Sequence, residues 1–168
     1  MSPRYDIPKA APGPLREVQL LVNSVDLHNE VEWLPQWLSD RGLDGELDRA
    51  TELREALRAL VLANNGLPVD QDAVEVVNCA AAGISLRLDD DGQLQLATDG
   101  DALDEVVAIV LRAMLDGSWE RLKACRNCYW SFYDYSPNRS ATWCSMQLCG
   151  NRQKTRAYRR RRRHRIAR

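Results

Sequence analysis

Four of the chain's five cysteines fall within 25 residues, spaced Cys125-x2-Cys128-x15-Cys144-x4-Cys149. Two thiolates separated by two residues can grip one ion from a tight backbone turn, and a second pair closes a tetrahedral cage, the geometry zinc prefers. The segment 119–151 is too short and too polar to fold by apolar burial alone, so it needs a staple. No histidine lies between Cys125 and Cys149. Four thiolates leave no open coordination position, so the expected role is structural, with one Zn2+ per chain. The fifth, Cys79 in Asn-Cys-Ala-Ala-Ala-Gly, reads as a small core residue.

Charge divides the chain at the same place. Residues 119–168 carry 14 Lys and Arg against Glu120 and Asp134, whereas residues 1–118 carry 9 bases and 22 acids. The net charge of -1 therefore conceals an acidic part joined to a basic, polyanion-binding one. After Cys149, Asn151 is placed to cap a helix and Gly150 to take a positive φ. On that helix Arg152, Arg156, Arg159, Arg160 and Arg163 would share one side and neutralise phosphates. Arg152, Gln153 and Lys154, at its start, are the candidates for entering a groove, with Arg139 contributing from the preceding loop.

Hydrophobic periodicity organises the rest. Residues 1–14, with four prolines, read as a flexible leader. Amphipathic helices are expected over about 15–28, 33–42, 46–64, 71–82 and 101–116, with Asp70 as a cap and Asn65-Gly66 and Gly117 as stops. Ile84, Leu86 and Leu88, then Leu94 and Leu96, alternate with polar residues around Asp-Asp-Asp-Gly, a hairpin signal. Between the cysteine pairs, the aromatic run from Tyr129 to Trp143 around Ser-Pro-Asn predicts a second short hairpin. Trp130, Phe132 and Trp143 would pack around the metal knuckle or, alternatively, stack on bases. The expected fold is α+β: a mainly helical domain over 15–118 with one β-hairpin, then a small treble-clef-like zinc finger with a basic helical tail over 119–168.

These residues resemble a known family. Trp143-Cys-Ser-Met-Gln-Leu-Cys-Gly-Asn-Arg152, Arg121-Leu-Lys-Ala-Cys-Arg-Asn-Cys128 and Phe132-Tyr-Asp134 are similar to the CGNR zinc finger. Val22-Asn23-Ser24, Leu53-Arg-Glu-Ala-Leu57 and Gly117-Ser-Trp119 resemble ABATE, its usual N-terminal partner, a family of stress-induced transcription regulators. The resemblance implies that Cys125, Cys128, Cys144 and Cys149 ligate zinc and that the finger binds DNA. Pro137, Ala141 and Thr142 stand where that family tends to carry arginines, which leaves Arg139 in the loop.

The chain has no P-loop, nucleophile elbow or His-Glu-x-x-His motif, so it is not expected to be an enzyme. Asn23, Asp26 and His28 could line a small-molecule or metal pocket, or simply form a polar helix face. The main expectation is a cytoplasmic DNA-binding transcription regulator without a membrane partner, its acidic domain sensing a ligand, contacting proteins or forming a homodimer. The alternatives are an RNA- or ribosome-associated zinc module, and a sensor or enzyme built on the N-terminal domain.

Overall fold

A computed structural model describes residues 9–152 and 154–155. Leu15–Val22 forms α1 and Val25–Asp26 pairs antiparallel with Val31–Glu32 as β1 and β2. α2 is Leu34–Ser39, α3 Leu47–Ala63 and α4 Gln71–Ala80. Ser85–Leu88 and Leu94–Ala97 are the hairpin strands β3 and β4, and α5 is Ala102–Asp116. Leu122–Ala124 and Ser131–Tyr133 are β5 and β6, and Met146–Gly150 makes a wide helical turn. The fold is α+β. No helix among the described residues is long and apolar enough to cross a membrane.

Local chemistry accounts for most of these boundaries. Asp70 caps α4 by accepting from the N–H groups of Asp72 and Ala73. Asp101 and Asp104 form a reciprocal capping box on α5, and Gly117 ends that helix at φ 77°. α1, however, stops at Val22 and not near residue 28. Asn23 already closes the helix, its N–H bonded to the Gln19 carbonyl, and the chain turns into β1 and β2 through Glu30 at φ 55°. The β3–β4 register places Leu86 opposite Leu96 and Leu88 opposite Leu94, all on one face, and Leu86, Leu88 and Leu94 are exposed.

The apolar core is formed by α1, α2, α3, α4 and α5, with Leu21, Leu34, Leu57, Leu103, Val107 and Val110 buried. It does not end at residue 118. Leu122 and Ala124 of β5 and Tyr133 of β6 belong to the same cluster. Residues 9–14 also differ from the expected flexible leader. The Lys9 carbonyl accepts from the Tyr133 N–H at 2.9 Å, and the Ala11 N–H donates to the Gln19 Oε1 at 2.7 Å. Ala11 is buried and the Tyr135 hydroxyl donates to the Ala10 carbonyl, so this strap is tied to β6 and α1. Residues 1–8 of that leader lie outside the described residues.

Candidate metal centre and nucleic-acid interface

β5 and β6 run antiparallel on either side of the first cysteine pair. The turn between them is closed by the Tyr129 N–H donating to the Cys125 carbonyl at 2.8 Å and the Cys125 N–H donating to the Trp130 carbonyl at 2.9 Å. Tyr129 takes φ 61° to make this turn. The aromatic run therefore pairs backward with residues 122–124, and not with itself as a hairpin around Ser-Pro-Asn. The reason lies in the turn at Asp134. Its buried carboxylate accepts from Lys123 Nζ at 2.8 Å and from the N–H groups of Ser136 and Ala141, which winds residues 134–142 into a loop. Burial alone would raise the Asp134 pKa, but the hydrogen bonds from Lys123 and Ser136 outweigh it and hold the carboxyl at about 2.

The second pair arrives from the helical side. Ser145 caps the turn Met146–Gly150 through its hydroxyl, which accepts from the Leu148 N–H, and the Cys149 N–H donates to the Ser145 carbonyl. The cap is thus Ser145, six residues ahead of the predicted Asn151. Gly150 does not have the positive φ expected of it. It packs closely instead: a Cβ there would meet Met146 Sδ at 2.7 Å, which that flexible, half-exposed side chain would have to vacate, and Trp143 Cδ1 at 3.2 Å.

All four cysteines are buried and unbonded, with their Sγ atoms within 4.8 Å of one another. Cys128 to Cys144, Cys144 to Cys149 and Cys149 to Cys128 measure 3.5, 3.7 and 3.5 Å. Four sulfurs at zinc–thiolate bond length around one ion would be about 3.8 Å apart, so the cage fits a tetrahedral metal. Hydrogen bonds from Cys128 and Cys144 lower the pKa of Cys125, while the bond to Cys125 pushes Cys128 up to about 12 and raises Cys144. A dication would supply the charge that lets all four deprotonate. Asn127 Nδ2 reaches the Cys149 Sγ at 3.4 Å, a donor suited to a thiolate. Trp130 and Phe132 are buried in this cluster and present no face for base stacking, and Trp143 is partly buried against it.

Asn23, Asp26 and His28 each have different side-chain partners. The Asn23 side chain is 4% exposed and fully engaged with Ser131, donating to its carbonyl at 2.9 Å and accepting from its N–H at 2.7 Å. Asp26 organises its own turn, accepting from the N–H groups of His28 and Asn29 and from Asn29 Nδ2. His28 is exposed, its Nε2 3.2 Å from Arg152 Nη1. Asn23 thus faces the interface with β6, whereas His28 faces solvent. Cys79 is exposed and not in the core, its Sγ near the Glu75 carboxylate.

Of the residues assigned to nucleic acid, Arg139 sits at φ 49° with its guanidinium bonded to Glu120. Arg152 and Lys154 are exposed at the start of the C-terminal helical segment. Gln153, Arg156, Arg159, Arg160 and Arg163 lie outside the described residues.

Polar residues that no sequence motif marks hold the finger to the helices. Asn65 Nδ2 donates to the carbonyls of Ala124 at 2.7 Å and Thr142 at 2.9 Å. Asn64 Nδ2 donates to those of Trp119 and Leu122, and Arg58 donates to those of Tyr129 and Val22. Arg58 lies off the apolar stripe of Leu53, Leu57, Leu60 and Val61, so its burial, and the partners a buried cation needs, were not visible in the helical pattern.

A buried four-thiol cage whose strands complete the core of a helical body defines the class: a metal-binding finger fused to a mainly helical body. A family model for ABATE, described as "Putative stress-induced transcription regulator", matches residues 18–117, more than half of the chain, and the chain belongs to that family. The CGNR zinc finger model matches residues 121–162. No curated protein matches the chain.

Proposed function

We propose that the chain is a zinc-dependent, DNA-binding transcription regulator without catalytic activity, its acidic body serving ligand sensing or protein contacts. One Zn2+ per chain would be held by Cys125, Cys128, Cys144 and Cys149. The observation that carries this reading is the position of Cys149 on the first turn of the C-terminal helical segment. The metal cage thereby fixes the origin of the sequence 152–168, which holds ten Lys and Arg and no acid. The family description supports regulation, and a site with no open coordination position supports a structural metal and not a hydrolytic one.

Arg152 and Lys154 start that segment on the exposed surface, and the arginines beyond them would neutralise phosphates. The test is a salt titration of zinc-loaded protein against random duplex DNA and structured RNA, read by anisotropy. Neutralising about five phosphates gives a slope of log K on log salt near -4.5. A steep slope with preference for duplex DNA is the expected result. Preference for RNA, or weak salt-insensitive binding to both, would overturn the assignment.

A further inference from the structure

We infer that Asn23 and Asn65 of the helical body are positioning residues of the metal centre, so that the body sets how tightly the finger holds its ion. The inference rests on the zinc reading above. Each amide grips backbone next to the ligands. Asn65 Nδ2 bridges two carbonyls, those of Ala124, immediately before Cys125, and Thr142, two residues before Cys144. One side chain therefore spaces the strand entering the first cysteine pair against the segment entering the second. Its own carbonyl accepts from Arg126, which lies between Cys125 and Cys128, at 2.6 Å. Asn23 pairs with both backbone groups of Ser131, three residues after Cys128, as a neighbouring strand would.

Both asparagines are more than nine-tenths buried, 4% and 6% exposed, so these bonds are not shared with solvent. They sit on the body, at the ends of α1 and α3, while every group they hold belongs to the finger. A finger of this size must order two ligand-bearing segments before it can close on an ion, and that ordering subtracts from affinity. Here the body performs it in advance. Linkage makes the effect reciprocal: whatever the body adds to metal affinity, the metal returns as stability of the body at α1 and α3.

The test uses the full chain and Zn2+ in competition with a chromophoric chelator. Asn65→Ala and Asn23→Ala should weaken zinc binding by about 10- to 100-fold, the usual cost of losing a partner behind the ligands. Asp70→Ala, which removes a helix cap on α4 away from the finger, lowers stability without touching the seam and should leave zinc affinity unchanged. Equal zinc affinities in all three variants would overturn the inference while leaving the zinc reading intact. Failure of the wild-type chain to bind zinc would overturn the zinc reading itself. Should the asparagine variants not fold, amide exchange in wild-type protein decides: zinc should slow exchange over residues 18–23 and 58–65, and unchanged exchange there would overturn the coupling.

Discussion

In the body, Leu21, Leu57, Val107 and Val110 from three helices are buried together with some twenty other apolar residues. In the finger, the separate buried cluster contains four cysteines, Trp130 and Phe132 and nothing else fully buried. Each buried aliphatic side chain of the body contributes about 1.5–3 kcal/mol, and many of them share the load. The finger has no such reserve. Apart from the strand residues it lends to the body's core, much of what holds it is polar and directed: Lys123 on Asp134, the asparagine amides on its carbonyls, and the cage itself. The difference teaches that one part is specified by how much it buries and the other by where a few groups point. The two nonetheless share a core, because Leu122, Ala124 and Tyr133 lie among the body's buried residues.

The largest effect separating the regions should come from the cage. Cys144→Ser removes one thiolate, and structural zinc supplies on the order of 10 kcal/mol to small sites. The variant should lose bound zinc and the folded finger. Because β5 is part of the common core, the body should be destabilised as well, by about 2–5 kcal/mol, the cost of emptying an aliphatic site. Leu57→Ala breaks the other region: it should cost about 3 kcal/mol while zinc stays at wild-type stoichiometry. Zinc content and urea unfolding followed by far-UV circular dichroism measure both. A body that unfolds at the same urea concentration in Cys144→Ser as in wild type would show that the finger is an independent module.

This contrast also explains what could be read from the chain. The helices α3, α4 and α5 were legible because their signals are local: apolar spacing, Asp70 and Asp101 as caps, Gly117 as a stop. The metal centre was legible because ligand spacing is itself a short-range pattern. The seam was not. Asn23 and Ser131 are 108 residues apart, and in sequence Asn23 looks like any polar residue at a helix end. Asn65 reads as a helix stop, although its amide reaches Ala124 and Thr142. The strap at Lys9 looked mobile because its prolines have no local partner, whereas its carbonyl is bonded to Tyr133. The alternating leucines of β3 and β4 gave the hairpin correctly, but period alone did not show that their shared face is exposed.

A smaller effect belongs to the body alone. Asp101 caps α5 by accepting from the N–H groups of Leu103 and Asp104, and Arg49 of α3 bridges Asp101 and Asp104 at 2.5 Å each. Burial raises the Asp101 pKa, but these bonds outweigh it and the net shift is downward. A carboxyl depressed in the folded state stabilises it above the unfolded value of about 3.9, and that contribution fades as pH falls through the folded value. Asp101→Ala should therefore cost about 1 kcal/mol at neutral pH. Its deficit against wild type should shrink in acid, below about pH 4, and zinc affinity at neutral pH should be unchanged. Urea midpoints of both proteins across pH measure this, and a deficit that persists below that range would assign the effect to packing and not to charge.

The smallest effect is the sharpest, because it should differ in sign between the two regions. Tyr129 follows Cys128 at φ 61°, a conformation that costs an L-residue about 1–2 kcal/mol. It is held there by its N–H on Cys125 and its carbonyl under Arg58, while the residue is 43% exposed. Tyr129→Ala and Tyr129→Gly both remove the ring, but only glycine relieves the backbone. The glycine variant should be more stable than the alanine variant by about 1 kcal/mol, even after the extra freedom glycine has when unfolded. At Glu52, exposed within α3, the same pair should rank the other way by about 1 kcal/mol, because glycine weakens a helix interior. Opposite signs at the two sites would show that the knuckle imposes its conformation on the residue it contains, whereas the helix takes its conformation from residues that favour it. If alanine were the better residue at both, the turn at Tyr129 would not be held by the cysteine cage and its neighbours, and the finger would be less rigid than its hydrogen bonds imply.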